Sequence, residues 1–231
     1  LQLLDAAGNA TGITTTTDAN GFYRFDNLAP GTYGVAELQP SGYFDGKDAA
    51  GSAGGTAQNP GDRIIGALIA AGVNAVDYDF GELLPGSISG RVHSDRDGDC
   101  EFSEGDTPIA GVIIHLLDAT GNRIATTQTD ADGRYTFDNL EPGVYGIEEV
   151  QPEGYYDSGD HVGTGGGTLV APDTITGITV GAGVAVVNYD FCEHDPASLS
   201  GHVYADDNNN GTRDPGELPL VGVTLHLLDS A

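Results

Sequence analysis

One segment of the sequence occurs three times at a nearly constant spacing. Leu1–Asp5 (LQLLD) recurs 113 residues later as Ile114–Asp118 (IHLLD), and 111 residues after that as Leu225–Asp229 (LHLLD). Further matches between these anchors, such as TDANG at 17–21 and TDADG at 129–133, extend the similarity. A period of this length is too long for a solenoid repeat and has the size of a whole domain.

The repeat divides the chain into three predicted parts. Residues 1–85 form a partial repeat that lacks the first strand and an acidic loop, 86–197 form a complete repeat, and 198–231 begin the next repeat with its first strand, acidic loop and second strand. Both ends fall at the same phase of the repeat, as expected for a piece of a polymer or tandem array. The connector at 81–86 is short, which favours a stiff rod over flexibly linked domains.

Within the complete repeat, short runs alternate apolar and polar residues and are separated by Gly, Pro, Asn and Asp. One such run carries Val187, Tyr189 and Phe191 on a single predicted face. This period of two is typical of half-buried antiparallel strands, and no helical period is sustained. The predicted strands lie near 87–93, 111–118, 123–129, 134–138, 144–150, 174–180 and 184–192. About seven strands in a domain of this size predict an all-β, Ig-like sandwich of two antiparallel sheets.

An acidic loop lies between two predicted strands at residues 206–217. Its sequence DDNNNGTRDPGE fits the pattern D-x-[DN]-x-[DN]-G-x5-E, in which Gly211 allows the sharp turn and alternate side chains face inward. Calcium prefers six to eight oxygen ligands at about 2.3–2.6 Å, and this spacing wraps such a shell around one ion. The predicted ligands are the side chains of Asp206, Asn208, Asn210, Asp214 and Glu217 and the carbonyl of Thr212.

The complete repeat carries a variant of this loop at 95–106. Cys100 stands at the glycine position, and the final position is Asp106 in place of Glu. Calcium remains the expected ion, because magnesium is less suited to a flexible loop of protein oxygens and transition metals favour His or Cys. The alternative is that both loops are solvated turns without an ion. The predicted ligands are Asp95, Asp97, Asp99, Glu101, Ser103 and Asp106.

The charge of the chain excludes several classes of partner. It contains 8 Lys and Arg against 35 Asp and Glu, which gives a formal net charge of −27. Such a chain lacks the basic surface that nucleic acid requires, and it is unsuited to anionic membrane surfaces. No segment approaches the roughly 20 apolar residues of a membrane span, so no membrane insertion is predicted for this segment. Bound cations would relieve the repulsion among so many carboxylates.

The two cysteines, Cys100 and Cys192, both belong to the complete repeat. Cys100 lies in the acidic loop, and Cys192 ends the last predicted strand, where the first repeat has Gly81. A disulfide between them fits an oxidising exterior, whereas free or intermolecular thiols are the alternatives.

The order of motifs along the chain resembles a known family. GHV at 201–203 precedes the loop at 206–217, and GVTLHLLD follows at 222–229. The complete repeat continues with DADGRYTF at 130–137 and NLEPGVY at 139–145. This order is similar to that of the B-type domains of serine–aspartate-repeat adhesins, which are related to the collagen-adhesin B-type (Cna-B) fold.

The resemblance implies transthyretin-like, Ig-like sandwiches stacked end to end on a secreted or cell-surface protein. It also implies that calcium stiffens each module, so that a stalk of modules holds another part away from the cell. Some relatives contain an internal Lys–Asn isopeptide crosslink. The first predicted strand, 87–93, contains no Lys, and the single Lys of the chain is Lys47, so we expect no such crosslink here.

We therefore expect a structural repeat of a stalk, adhesin or extracellular filament, whose partners are further copies of itself. We expect no enzyme, because no catalytic constellation recurs between the repeats. The alternative is an adhesive module that binds an extracellular protein or a glycan, and units could join within one chain or by strand exchange between chains. The candidate contact residues, which could equally plug the sandwich edge, are Tyr43, Phe44, Tyr155 and Tyr156.

Overall fold

The computed structural model describes residues 1–228, so Asp229 of the third anchor lies outside the described residues. These residues form eighteen β-strands and no helix. A helix long and apolar enough to cross a membrane is accordingly not found in this described part. The predicted all-β class is confirmed. The chain divides into two compact units, Leu1–Asp195 and Pro196–Ala231, which are described separately below.

The first repeat contains one large sheet and a small ribbon. The strands are β1 (Gln2–Leu4), β2 (Ala10–Thr14), β3 (Gly31–Ala36), β4 (Phe44–Asp45), β5 (Thr56–Gln58), β6 (Arg63–Ile69) and β7 (Glu82–Leu83). The sheet has the order β2-β1-β3-β6-β5, and β4 pairs with β7 in the ribbon. Leu3, Leu4 and Ile64 are the buried large apolar residues of this repeat.

The second repeat is a two-sheet sandwich. Its strands are β8 (Gly86–Ser94), β9 (Thr107–Pro108), β10 (Ile113–Leu117), β11 (Arg123–Gln128), β12 (Arg134–Leu140), β13 (Gly143–Glu149), β14 (Tyr156–His161), β15 (Thr168–Val170), β16 (Thr174–Val180), β17 (Ala185–Val186) and β18 (Asp190–His194). One sheet has the order β11-β10-β13-β16-β15, the same order as in the first repeat. The other has the order β12-β8-β18-β14, with β9 and β17 paired to β8.

The pairing around β8 departs from the antiparallel expectation. β8 pairs with β12 antiparallel, but with β17 and β18 in parallel. The first and last strands of the repeat are therefore neighbours that run in the same direction. As a result, the chain enters the repeat at one end of this sheet and leaves it at the other.

The core lies between the two sheets of the second repeat, as the period-two pattern predicts. Its buried side chains include Ile88, Val92, Val112, Ile114, Leu116, Tyr135, Phe137, Ile147, Ile175, Ile178, Val186, Tyr189 and Phe191. All seven predicted strand segments contain strand, but the last is interrupted. Asn188 has a φ of 64°, and this left-handed residue shifts the alternation, so that Val186 is buried and Val187 is exposed. The prediction that Val187 shares a face with Tyr189 is wrong for this reason.

The described part of the second unit, 196–228, contains no extended strand. An isolated bridge joins Tyr204 to Pro219, and the Ala205 N–H donates to the Leu218 carbonyl at 2.9 Å. These bonds close the base of the acidic loop. Within residues 196–228, the segments predicted as the first and second strands of the next repeat form no strand pairs beyond this bridge. Leu199 and Leu227 are accordingly exposed.

Candidate metal sites

The loop at 95–106 is folded around the carboxylate of Asp95. This residue follows β8 directly and is buried, and its N–H donates to the Glu193 carbonyl on β18 at 2.7 Å. Its Oδ1 accepts from the Gly98 N–H at 2.8 Å, and its Oδ2 accepts from the Cys100 N–H at 2.9 Å. Burial opposes ionisation of Asp95, but the N–H groups of Cys100 and Gly98 outweigh it and hold its pKa below the usual value.

The last residue of the loop closes it from the other side. Asp106 Oδ1 accepts from the Arg96 N–H at 3.0 Å, and Oδ2 accepts from the Ser103 N–H at 2.7 Å. Within the loop, Asp99 Oδ1 accepts from the Glu101 N–H at 2.8 Å. These bonds set the shape of the loop.

Three of the predicted ligands come together in this loop. Asp95, Asp97 and Asp99 each have a carboxylate oxygen within 4.8 Å of the others. Desolvation, followed by the charge of Asp99, raises the pKa of Asp97. Such a group of oxygens has the spacing and the charge to share one hard cation. Glu101 is exposed and does not belong to the group, and Ser103 contributes its N–H to Asp106.

The loop at 206–217 repeats the hydrogen-bonding frame of the first loop. Asp206 Oδ2 accepts from the Gly211 N–H at 2.7 Å, as Asp95 does from Cys100. Glu217 accepts from the N–H groups of Asp207 and Asp214, at 3.3 and 2.9 Å. Asp106 accepts from the same two loop positions, the second and the ninth. Asp therefore replaces Glu at the last position without a change in the bonds that it makes to the loop.

The remaining predicted ligands of 206–217 also face one another. The side-chain amides of Asn208 and Asn210 both donate to Asp214 Oδ2, at 2.8 and 2.7 Å. These two bonds lower the pKa of Asp214. Asn210 Oδ1 accepts from the Thr212 N–H at 2.6 Å. The loop thus brings Asn208, Asn210 and Asp214 together, with the amide nitrogens of the two Asn residues toward Asp214.

Cys100 shows why the first loop departs from the motif. The sixth position is left-handed in both loops, with φ of 76° at Gly211 and 55° at Cys100. A side chain there is unfavourable, so a second interaction must hold it. Cys100 forms a disulfide with Cys192 of β18, with 5.6 Å between the Cα atoms. The loop is therefore tied covalently to the last strand of its repeat.

A second acidic group lies outside both predicted loops. Asp157, Asp160 and Asp173 have carboxylate oxygens within 4.8 Å of one another. No local motif marks these residues, because they come from β14 and from the turn before β16. The signal that could have found them is their recurrence in the first repeat as Asp45, Asp48 and Asp62.

The fold and the acidic loop after the first strand define this protein as one of tandem all-β repeats. More specifically, the chain belongs to the SdrD B-like domain family, whose profile matches residues 1–82 and 86–187. Serine-aspartate repeat-containing protein F of Staphylococcus epidermidis is 39% identical over 154 residues, which cover 67% of this chain and 9% of that protein. Serine-aspartate repeat-containing protein D of Staphylococcus aureus is 31% identical over 230 residues, which cover 99% of this chain and 17% of that protein. The chain thus spans less than a fifth of the length of either relative.

Solved structures with a similar arrangement include two pilins. A minor pilin of Streptococcus agalactiae, GBS52, has a TM-score of 0.35 at 13% identity, covering 77% of this chain and 66% of that one. The pilus 2b backbone protein of group B streptococcus has a TM-score of 0.35 at 15% identity, covering 85% and 78%. At these identities and TM-scores, the similarity supports no statement about ligands or assembly.

Proposed function

We propose that the chain is a calcium-stiffened structural repeat of a secreted or cell-surface stalk, adhesin or extracellular filament. The observation that carries the proposal is the shared frame of the two loops. Both wrap the backbone around the first Asp and close on the last carboxylate, and the loop at 95–106 brings three carboxylate oxygens within 4.8 Å of one another. Membership of the SdrD B-like family and the disulfide, which is typical of oxidising compartments, support the extracellular placement.

The loops are positioned to stiffen the end of a repeat. Asp95 is bonded through its N–H to Glu193, and its carbonyl lies 3.2 Å from Nδ1 of His194. Calcium at Asp95, Asp97 and Asp99 would therefore fix the loop against the end of β18, where the chain passes to the next repeat. In chelator, the three carboxylates repel one another, and this end of the repeat loosens.

The proposed units follow the sequence period: a partial repeat at 1–85, a complete one at 86–197 and the start of a third at 198–231. Their proposed partners are neighbouring copies in a tandem or head-to-tail array. Catalysis has no place in this proposal, in which the acidic loops supply oxygen ligands to an ion. These boundaries are tested by limited proteolysis in calcium, which should cut near 85 and 197 before it cuts within 86–195.

Calcium titration of the full chain by calorimetry, combined with small-angle scattering, tests the stiffening mechanism. Asp95→Asn with Asp97→Asn should abolish one binding event, and Asp206→Asn should abolish or weaken another. Asp138→Asn is the matched control, because Asp138 is an exposed carboxylate outside both loops. We expect calcium to raise the melting temperature and to narrow the distribution of molecular lengths that scattering measures. Unchanged titrations in the loop variants, or unchanged scattering after chelation, would contradict the proposal.

An adhesive module is the second candidate. Tyr156 is 66% exposed and Tyr43 is 45% exposed, so each offers an aromatic surface to a protein or a glycan. The equivalent positions differ, however, because Phe44 and Tyr155 are half-buried and Tyr155 packs against the core. Binding to an extracellular-matrix or glycan array that is lost in Tyr156→Ser would favour this alternative. An array without hits would count against it.

A further inference from the structure

Two arginines lie directly opposite each other on the second repeat. Arg134 of β12 is the cross-strand partner of Arg91 of β8, so both side chains project from the same face of the sheet. Like charges in this position repel each other and weaken the pairing of the strands. Desolvation, followed by the charge of Arg134, lowers the pKa of Arg91. The pair therefore costs the fold stability until an opposite charge is supplied.

The chain is rich in carboxylates but does not pair them with these two arginines. Asp and Glu outnumber Lys and Arg by 35 to 8. The ion pairs within residues 1–228 are Arg24–Asp26 and Arg123–Glu148, so neither guanidinium of the opposed pair is bound by a carboxylate in that range. An acidic chain that leaves two opposed arginines unpaired indicates that another molecule supplies their partner.

Two carboxylates beside the pair bind backbone groups instead. Asp190 Oδ1 accepts from the Arg91 N–H at 2.7 Å, and Asp130 Oδ1 accepts from the Arg134 N–H at 2.9 Å. Their charges, together with that of Asp132, oppose the lowering of the pKa of Arg91. Each acid thus positions the main chain of one arginine, while both guanidinium groups keep their N–H donors for a ligand.

An aromatic ring holds one of these guanidinium groups in place. Arg91 Cζ lies 3.6 Å from the centroid of the Phe102 ring, which is a cation–π contact. The Phe102 ring in turn lies perpendicular to the His93 ring, with 5.4 Å between the centroids. A guanidinium that is already oriented loses less conformational freedom when it binds an anion. Phe102 therefore acts as a positioning residue for Arg91.

The opposed arginines line an open groove on the second repeat. Its volume is about 980 Å³, at the upper end of the roughly 300–1,000 Å³ that ligand sites occupy. Phe102 also lines the groove and is 44% exposed, so its ring offers an apolar surface for stacking. The other polar side chains include hydroxyl and amide groups, which both donate and accept hydrogen bonds. These are Ser89, Thr127, Gln128, Thr136 and Asn188.

We propose that this groove binds an anionic saccharide, whose carboxylate or sulfate group is held by Arg91 and Arg134. Guanidinium groups bind such anions through paired, charge-assisted hydrogen bonds. The sugar hydroxyls bond to the hydroxyl and amide side chains, and an apolar ring face packs on Phe102. An extended peptide fits less well, because β8 is paired on both sides and cannot accept a further strand in the groove.

The groove belongs to the second repeat and is not a general feature of the fold. In the first repeat, Phe22 stands at the position of Arg134, and residues 1–85 contain no counterpart of β8. The surface is also distinct from the exposed tyrosines Tyr43 and Tyr156. The proposal rests on the arginine pair and does not require an ion in the acidic loop.

The test titrates the full chain with four probes, followed by calorimetry and by amide chemical shifts in NMR. The probes are an oligogalacturonate, its neutral methyl ester, a sulfated heparin oligosaccharide and tetraglutamate. We expect binding of one or both anionic saccharides, which identifies the anionic group, and no binding of the ester. Arg134→Gln should weaken binding by roughly 10-fold or more, because charge-assisted hydrogen bonds are lost. Arg24→Gln is the matched control, since Arg24 is paired with Asp26 in the first repeat, and it should change nothing.

Loss of binding and loss of fold give different results. Arg134→Gln removes one of two opposed charges, so the melting temperature without saccharide should stay the same or rise. The proposal is overturned if neither anionic saccharide binds, or if the methyl ester or tetraglutamate binds as tightly as they do. Equal affinity in Arg134→Gln and the parent chain would overturn it as well. Calcium titrations should be the same in both chains, so this result is independent of the loop proposal.

Discussion

Tyr23 and Tyr135 occupy the same place in the two repeats, yet only Tyr135 lies in a β-strand. Each donates its hydroxyl to the backbone carbonyl of a second tyrosine, Tyr23 to Tyr78 at 2.6 Å and Tyr135 to Tyr189 at 2.7 Å. Residues 134–140 form β12 against β8, whereas the matching residues 22–28 form no strand. The same motif therefore makes this hydrogen bond in both repeats but forms a strand only in the second.

The difference between the repeats is β8, which has no counterpart in residues 1–85. The sheet that does not contain β8 has the same strand order in both repeats. The sheet that contains β8 is complete only in the second repeat, where β8 pairs with β9, β12, β17 and β18. One layer of this fold therefore forms without β8, and the other requires a strand that binds its neighbours on both sides.

The largest difference in stability between the two repeats should come from the disulfide, which only the second repeat contains. Cys100→Gly with Cys192→Ala opens a covalent loop with a sequence separation of 92 and should destabilise the second repeat by about 4–5 kcal/mol. Hydrogen exchange should rise in β8, β12 and β18 and stay unchanged in β3 and β6. Reduction of the parent chain should reproduce the effect. Equal changes in the two repeats would show that they do not unfold independently.

Truncation of a core side chain should destabilise the second repeat more than the first. This difference in unfolding free energy should be somewhat smaller than the one caused by the disulfide. Phe191 is fully buried, so Phe191→Ala should cost the second repeat about 3–5 kcal/mol. Its counterpart Phe80 is half-buried, and Phe80→Ala should cost roughly 1 kcal/mol. Urea denaturation followed by circular dichroism measures both. Similar losses at the two positions would mean that Phe80 is covered as fully as Phe191.

A buried hydroxyl provides a finer test. Thr129 Oγ1 accepts from the Val112 N–H at 2.9 Å and donates to the Ile109 carbonyl at 2.7 Å, whereas Thr17 is exposed. Thr129→Val leaves two backbone groups without a partner and should cost about 1–3 kcal/mol. Thr17→Val should have no measurable effect on the same denaturation curves. A loss of stability in Thr17→Val would mean that the Thr17 hydroxyl makes a stabilising contact, contrary to its exposed position.

The repeats should differ least in their response to pH. Burial, with the charge of Glu82, raises the pKa of Glu37 to about 7, and burial, with the charge of Asp157, raises that of Asp160 to about 7. A carboxyl that holds its proton more tightly in the folded state stabilises the fold at low pH, and this contribution is lost as pH rises through 7. In chelator, both repeats should therefore melt at lower temperature at pH 8 than at pH 5. A melting temperature that rises over this range would contradict the assigned burial.

The sandwich was predictable because period-two alternation marks a half-buried strand wherever it occurs. The sequence did not indicate β14, whose residues 156–161 read YDSGDH and are poor strand formers. Pairing with β18 imposes this strand, and pairing between distant segments leaves no local pattern. The shift at Asn188 escaped prediction for a related reason, because one left-handed residue reverses the faces of a run without changing its composition.

The two kinds of candidate site differ in the same way. The loop at 206–217 is contiguous, so its spacing alone predicts which side chains face inward. The acidic group of Asp157, Asp160 and Asp173 draws on β14 and the turn before β16, and its members meet only after both sheets have formed. A comparison of the repeats for matching acidic positions, rather than for matching motifs, would have located it.

The disulfide also determines how the second repeat responds to tension. β8 and β18 run in parallel, so a pull on the flanking chain loads the repeat at opposite ends. The force passes along β8 to Cys100, crosses to Cys192 and leaves through His194. The residues between the two cysteines, which include most of both sheets, lie outside this path. While the disulfide is intact, about 300 Å of chain cannot be extended by the pull, at about 3.4 Å for each of the 92 residues that separate the cysteines.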